Sequence, residues 1–72
     1  MTLKQFLIKF GKEIKKARID KDISQEALAE KAGLHVTFLS RIENGKANIS
    51  LDSVLKLANA LNIEVCELFK FK

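Results

Sequence analysis

Apolar residues recur at helical spacing along almost the whole chain, which predicts an all-α protein. The first stripe runs from Phe6 to Ala17 in steps of four, four and three residues, so we expect one helix over about 3–20. Gly11 lies inside that helix and costs it up to about 1 kcal/mol relative to alanine. A ragged or late start of this helix is therefore an open alternative.

Capping residues mark the helices that follow. Ser24 and Ser50 are favourable N-caps, and Gly33 and Asn62 suit the left-handed conformation that often ends a helix. Proline is absent and glycine is scarce, so long helices run uninterrupted. The helices after the first are expected at about 25–32, 35–43, 51–61 and 64–69.

The helix at about 51–61, the fourth of the five, carries a strong apolar stripe that is expected to face inward. Its members are Leu51, Val54, Leu55, Ala58 and Leu61. In the last helix Leu68 is the residue most suited to complete the core. With short connections, the five helices predict one domain over residues 1–72, folded as a compact bundle.

The stretch at about 24–44 has the pattern of a helix-turn-helix. A turn at 33–34 is too tight to lay its two helices antiparallel, so they must cross steeply. Ala29 is small enough for a close crossing, while Leu39 and Ile42 supply the buried face of the second helix. From spacing alone, an ordinary helical hairpin in a small bundle remains the alternative.

Composition narrows the classes of function. The chain has a formal net charge of +4, one cysteine and one histidine. We therefore expect no disulfide, no zinc site and a reducing, cytoplasmic location. The chain has no Gly-rich phosphate loop, HExxH motif or glycine-flanked serine, so neither an enzyme nor a cofactor is expected. No signal peptide or membrane span is expected either.

Three runs of sequence resemble one family of regulators. SQEALAEKAG at 24–33 and FLSRIENG at 38–45 look like the phage-repressor and Cro-like (xenobiotic-response-element type) helix-turn-helix regulators. LKLANAL at 55–61 is similar to the fourth helix of that family. The resemblance covers about residues 11–69. It implies a five-helix, lambda-repressor-like domain that binds double-stranded DNA, usually as a homodimer on a two-fold symmetric operator.

The resemblance also implies that the third helix reads base edges in the major groove with its outward residues. The residues it assigns to base reading are His35, Val36, Thr37, Ser40 and Arg41. Arg41 could bind guanine or clamp a phosphate, and Val36 could touch a thymine methyl or pack between helices. Phe38 is too large for the groove face and is expected to pack.

Phosphate contacts are implied at helix N-termini and after the third helix. They fall on Ser24, Gln25, Asn44, Lys46 and Ser50. For Ser24 and Ser50, helix capping alone is the favoured alternative. These assignments place the DNA backbone on both sides of the third helix.

A structural ion pair between Arg18 and Glu43 is a further implication of the resemblance. Other features depart from the family pattern. Asp22 lies where the family often has glycine, so some strain is expected in the left-handed region. Residues 1–10 extend the first helix beyond its usual start. Because the sequence ends soon after the motif, we expect no small-molecule effector, and we expect the domain itself to dimerise.

Positive charge is concentrated at the start of the chain. Residues 1–21 hold seven Lys and Arg side chains against two acidic ones. This charge either adds long-range attraction to DNA or, as we favour, forms a solvated outer face. The lysines concerned are Lys12, Lys15, Lys16 and Lys21.

The C-terminus is too apolar for a free tail, which suggests a dimer interface. The candidate interface residues are Ile63, Val65, Phe69 and Phe71. Leu3 and Leu7 are secondary candidates. The alternative is that these residues pack back onto the first helix through Phe6, Leu7 and Phe10.

Taken together, the sequence predicts a sequence-specific regulator of transcription that acts as a homodimer. Restriction–modification controllers and stand-alone phage-type repressors fit its minimal size. The antitoxin of a toxin–antitoxin pair is an alternative, as is a protein-interaction module that keeps the fold without reading DNA. Outward polar groups argue against the interaction module; they are Gln25, Thr37, Arg41 and Asn44.

Overall fold

The computed structural model describes all 72 residues and is entirely helical. Its elements are α1 (Leu3–Asp20), α2 (Gln25–Ala32), α3 (Val36–Glu43), α4 (Leu51–Leu61) and a C-terminal 3₁₀ helix (Val65–Phe69). The all-α prediction is therefore confirmed, with a 3₁₀ turn in place of a fifth α-helix. None of the helices is both long and apolar enough to cross a membrane.

Helix α1 begins at Leu3 with Thr2 as its N-cap, so the ragged or late start is wrong. The Thr2 hydroxyl accepts a hydrogen bond from the Gln5 backbone N–H at 3.1 Å, and the Gln5 side chain accepts from the Thr2 N–H at 2.9 Å. This capping box satisfies two backbone donors that would otherwise lack a partner in the first turn. Local capping thus offsets the helix-weakening effect of Gly11.

Gly11 instead lies where α1 packs closely against α3. It is buried, and a Cβ atom built on it would overlap the Ile42 carbonyl oxygen and lie 2.9 Å from that of Glu43. Gly45 makes a similar contact, since a Cβ there would lie 2.8 Å from the backbone Cα of Ile8. Two glycines therefore let the backbones of α1 and of the end of α3 meet.

The core lies between α1 and α3 on one side and α2 and α4 on the other, with the 3₁₀ helix closing one end. In α4 the prediction of Leu51 and Leu55 as core residues is wrong, because both side chains point outward. Leu57, absent from the predicted stripe, is fully buried in their place. The fully buried large side chains are Phe10, Ile14, Leu28, Leu39, Ile42, Leu57, Leu61 and Leu68.

The C-terminal aromatic residues pack against α1. The ring of Phe69 lies 5.1 Å from that of Phe10 and 5.9 Å from that of Phe6, measured between centroids. The ring of Phe71 lies 5.3 Å from Phe6 in an edge-to-face arrangement. Such pairs contribute about 0.5–1.5 kcal/mol beyond the area they bury. The tail thus follows the alternative in which it packs on the first helix.

Candidate nucleic-acid interface

Helix α3 has one buried face and one outward face. Leu39 and Ile42 are buried on the inner side, and Phe38 packs half-buried against the core. The outward side presents a row of side chains that are polar or basic except for one valine. Its members are Val36, Thr37, Ser40, Arg41 and Asn44, of which all but Ser40 are exposed.

The turn between α2 and α3 fixes the angle at which α3 is presented. Gly33 has φ of +70°, a conformation that glycine adopts without cost, and its N–H bonds the Glu30 carbonyl at 3.2 Å. The Leu34 N–H then bonds the Ala29 carbonyl at 2.9 Å, which completes a Schellman-type end to α2. Ala29 is buried, as a close crossing of the two helices requires.

A hydrogen-bonded network ties the end of α3 to α1 and α2. Arg18 Nε donates to Glu43 Oε2 at 2.8 Å, and Arg18 Nη2 donates to Glu43 Oε1 at 3.2 Å. The third group, Arg18 Nη1, donates to the Ile23 carbonyl at 2.9 Å. The Glu43 side chain is only 2% exposed and that of Arg18 13%. This fork of bonds satisfies a carboxylate that would be costly to bury alone.

Gln25 joins the same network. Its Nε2 donates to Glu43 Oε1 at 3.0 Å, so the first residue of α2 is fixed against the last residue of α3. An amide nitrogen carries two N–H groups. The first N–H keeps Gln25 in place, and the second makes no bond within the chain.

The two capping serines act first on their own helices. The Ser24 hydroxyl accepts from the Ala27 N–H at 3.0 Å, and the Ser50 hydroxyl accepts from the Ser53 N–H at 3.1 Å. Each hydroxyl thereby satisfies one backbone N–H at the positively polarised N-terminus of its helix. Capping accounts for both side chains in the free protein.

Arg41 makes an unexpected contact within the chain. Its Nη2 donates to the Lys46 carbonyl oxygen at 3.0 Å, which fastens the last turn of α3 to the loop after it. Asn44 and Lys46 are exposed beside this bond. The bond uses one of the five guanidinium N–H groups, so the other four remain free.

Comparison with known proteins decides the family. Residues 14–68 match the HTH_3 helix-turn-helix family. The chain belongs to this family. It is accordingly a DNA-binding helix-turn-helix regulator of transcription.

Several relatives of this HTH_3 regulator are described as control or controller proteins. The control protein C.MunI of a Mycoplasma species is 46% identical over 63 residues, which are 86% of this chain and 85% of that protein. The control protein C.BamHI of Bacillus amyloliquefaciens is 40% identical over 63 residues, covering 86% and 78%. The crystal structure of the restriction-modification controller protein C.AhdI of Aeromonas hydrophila superposes with a TM-score of 0.87 at 46% identity, covering 88% and 96%.

The HTH_3 fold brings some predicted site residues together and separates others. Arg18, Gln25 and Glu43 meet in one network, whereas the phosphate candidates Ser24 and Ser50 begin different helices. His35 is exposed at the start of α3 and its side chain makes no capping bond. Sequence reasoning missed the Arg41 bond to Lys46, because no residue pattern signals a bond to a backbone carbonyl.

Proposed function

We propose that the protein is a controller-type regulator that binds a two-fold symmetric DNA operator as a homodimer and controls the genes of a restriction–modification system. The observation that carries the proposal is the outward face of α3, largely exposed and mostly polar, on a helix that Glu43 ties to α1 and α2. The similarity to control proteins at 46% and 40% identity supports the controller class. We place its action in the cytoplasm, without enzymatic activity, cofactor or small-molecule effector.

Base reading falls on the N-terminal half of α3. His35, Val36 and Thr37 are exposed where a helix entering the major groove comes nearest to the bases. Thr37 offers a hydroxyl and a methyl group, and Val36 offers an apolar surface for a thymine methyl. Ser40 lies one turn further along. Arg41, in the last turn, contributes either a guanine contact or a phosphate contact.

Phosphate contacts hold α3 in register along the groove. On one side Gln25 donates its second amide N–H, beside the N-terminus of α2 that Ser24 caps. On the other side Asn44 and Lys46 flank the end of α3, with the N-terminus of α4 at Ser50 beyond them. Because Gln25 is bonded to Glu43, a phosphate there is linked directly to the position of α3.

A binding selection on genomic fragments, followed by a salt titration on the enriched DNA, tests the proposal. We expect a palindromic site whose affinity exceeds that of unrelated DNA by about a thousandfold or more. Lys46→Ala should reduce the salt slope by about one while leaving the preferred sequence unchanged. Enrichment of a site beside a methyltransferase or endonuclease gene supports the controller class.

Two outcomes contradict the proposal. A steep salt dependence with no sequence preference would mean that the protein binds only the DNA backbone. A preferred site with no restriction–modification gene nearby would leave a DNA-binding regulator of another class. Lys70→Ala, an exposed change in the C-terminal tail, is the control for charge lost away from α3.

A further inference from the structure

The loop between α3 and α4, residues 44–50, carries two of the proposed phosphate contacts. Its first half continues directly from the end of α3. The Gly45 N–H bonds the Ile42 carbonyl at 3.0 Å, and the Lys46 N–H bonds the Arg41 carbonyl at 2.8 Å. These two bonds form a Schellman motif, which fixes the path of the chain as it leaves the helix.

Backbone hydrogen bonds between main-chain groups stop after Lys46. Residues 47–49 neither donate nor accept one, and this part of the loop is held by packing instead, with Ala47 buried and Ile49 partly buried. At the boundary the Arg41 side chain supplies the next bond, from Nη2 to the Lys46 carbonyl oxygen at 3.0 Å. Both polar backbone groups of Lys46 are therefore bonded to Arg41, which fixes the direction of its Cα–Cβ bond.

The side chain of Lys46 is free to bind an anion. It is exposed, and its ammonium group forms no ion pair with a carboxylate of the chain. Arg41 lies in the last turn of α3, where the helix carbonyl groups carry partial negative charge and attract a cation. This turn is at the opposite end of α3 from the residues that come nearest to the bases.

We propose that Arg41 is a positioning residue that holds Lys46 ready to bind a DNA phosphate. The inference rests on the proposed function and refines it, because the contribution of Arg41 to phosphate binding is then made through Lys46. A loop that is ordered before binding avoids the entropy cost of being ordered on the DNA, so its contacts give more affinity. The backbone of Lys46, bonded at two points, meets this condition in the free protein.

A double-variant cycle tests whether Arg41 acts through Lys46. Lys46→Ala removes the ammonium group but leaves the carbonyl that Arg41 binds. Arg41→Ala and Lys46→Ala should each weaken binding to one duplex by about tenfold and reduce the salt slope by about one, which is the loss of one phosphate contact. Because both changes disable the same contact, the double variant should bind about twentyfold more weakly at most, with the slope still reduced by about one.

Thr37 and Lys70 provide the controls for this cycle. Thr37→Ala removes a contact at the other end of α3, so its loss and that of Lys46→Ala should multiply to about a hundredfold. Lys70→Ala removes an exposed charge in the C-terminal tail and should change affinity by less than about twofold. Arg41→Ala should also weaken binding to matched and mismatched duplexes by the same factor, to within about twofold.

Backbone relaxation measured by NMR on the free protein tests the order of the loop. The Ala47 N–H belongs to the same peptide group as the Lys46 carbonyl, so its order parameter reports on the Arg41 bond. We expect a value near about 0.85 in the unaltered chain and about 0.6 in Arg41→Ala. The Leu39 amide, within α3, should keep its value. The thermal midpoint should fall by less than about 5 °C, because only one exposed hydrogen bond is lost.

The outcomes separate this inference from the proposed function. A double variant that binds about a hundredfold more weakly, with the slope reduced by about two, means that Arg41 binds a phosphate of its own and overturns the inference. Preference lost at one base pair in Arg41→Ala overturns it by assigning a base contact, and so does an unchanged order parameter at Ala47. An unaltered chain without sequence preference overturns only the proposed function, because the cycle can be measured on unrelated DNA. A chain that binds no DNA overturns both.

Discussion

The inner and outer faces of α3 differ in what holds them. The inner face is fixed by packing, by the Arg18–Glu43 bonds and by the close approach of Gly11 to the helix backbone. The outer face is held only by its own helix and, near its end, by the Arg41 bond to the Lys46 carbonyl. On the proposed function, the residues that position α3 and the residues that read DNA can therefore be altered separately. Three predictions test that separation, and a fourth concerns a turn outside both faces.

Replacing Glu43 should have the largest effect. Glu43→Ala leaves the Arg18 guanidinium and the Gln25 amide without their shared acceptor, at a cost of about 3–5 kcal/mol in the free energy of unfolding. Urea unfolding at a fixed protein concentration measures this, since association also affects apparent stability. We expect DNA binding to weaken only as far as folded protein is lost.

The exposed Glu26, in the first turn of α2, provides a control. Glu26→Ala should change stability by less than about 1 kcal/mol. A Glu43→Ala protein that folds stably and prefers a different base sequence would contradict the division between the two faces.

Replacing Gly11 should have the next largest effect. Whether the change stabilises or destabilises the protein decides between helix propensity and backbone contact as the dominant factor. Helix propensity alone predicts that Gly11→Ala stabilises α1 by up to about 1 kcal/mol. The overlap with the Ile42 carbonyl predicts instead a loss of about 1–3 kcal/mol, because one backbone must move. Thermal unfolding compares this variant with Lys12→Ala, an exposed neighbour that should shift stability by less than about 0.5 kcal/mol. A stabilised Gly11→Ala would refute the close contact.

On the outer face, Thr37→Ala should alter DNA binding without altering the fold. Loss of one base contact should lower affinity for the preferred site by about tenfold and relax the preference at one base pair. The unfolding midpoint should remain that of the unaltered chain. Fluorescence anisotropy with matched and mismatched duplexes measures the change. An equal loss of affinity on every sequence would instead assign Thr37 to a phosphate.

The smallest effect is expected at Asp22, which lies away from both faces in the turn after α1. Its φ is +56°, so Asp22→Gly should stabilise the fold by about 0.5–1 kcal/mol by relieving a left-handed conformation. Asn62→Gly is the matched comparison, because Asn62 has the same φ and Asn tolerates it well. DNA affinity should not change in either variant. A destabilised Asp22→Gly would mean that the aspartate side chain stabilises the turn.

The helix boundaries could be predicted because their determinants are local. Ser24, Gly33, Ser50 and Asn62 end or begin helices through bonds to residues only a few positions away. The role of Gly11 could not be predicted in this way, because it depends on a backbone thirty-one positions along the chain. The prediction that Leu51 faces inward was wrong. Apolar residues at helical spacing do not show which side of the helix the rest of the protein covers.

The candidate site likewise has features that could be predicted from the sequence and features that could not. The resemblance to Cro-like regulators predicted the outward residues of α3 and the Arg18–Glu43 pair, and the geometry places the latter two in contact. It gave no sign that Gln25 shares Glu43 or that Arg41 is fastened to Lys46. These contacts depend on side-chain conformations that the fold selects, and a pattern of residue types does not contain them.

The meeting of backbones at Gly11 and Gly45 has a consequence for the DNA. Side chains can shift their rotamers to fit a new partner, but backbone against backbone leaves α1 and α3 little freedom to move relative to each other. On the proposed function, the DNA duplex therefore has to deform when its shape does not fit the protein surface. Operators would then differ in affinity through how easily their central base-pair steps bend, including steps that no side chain touches.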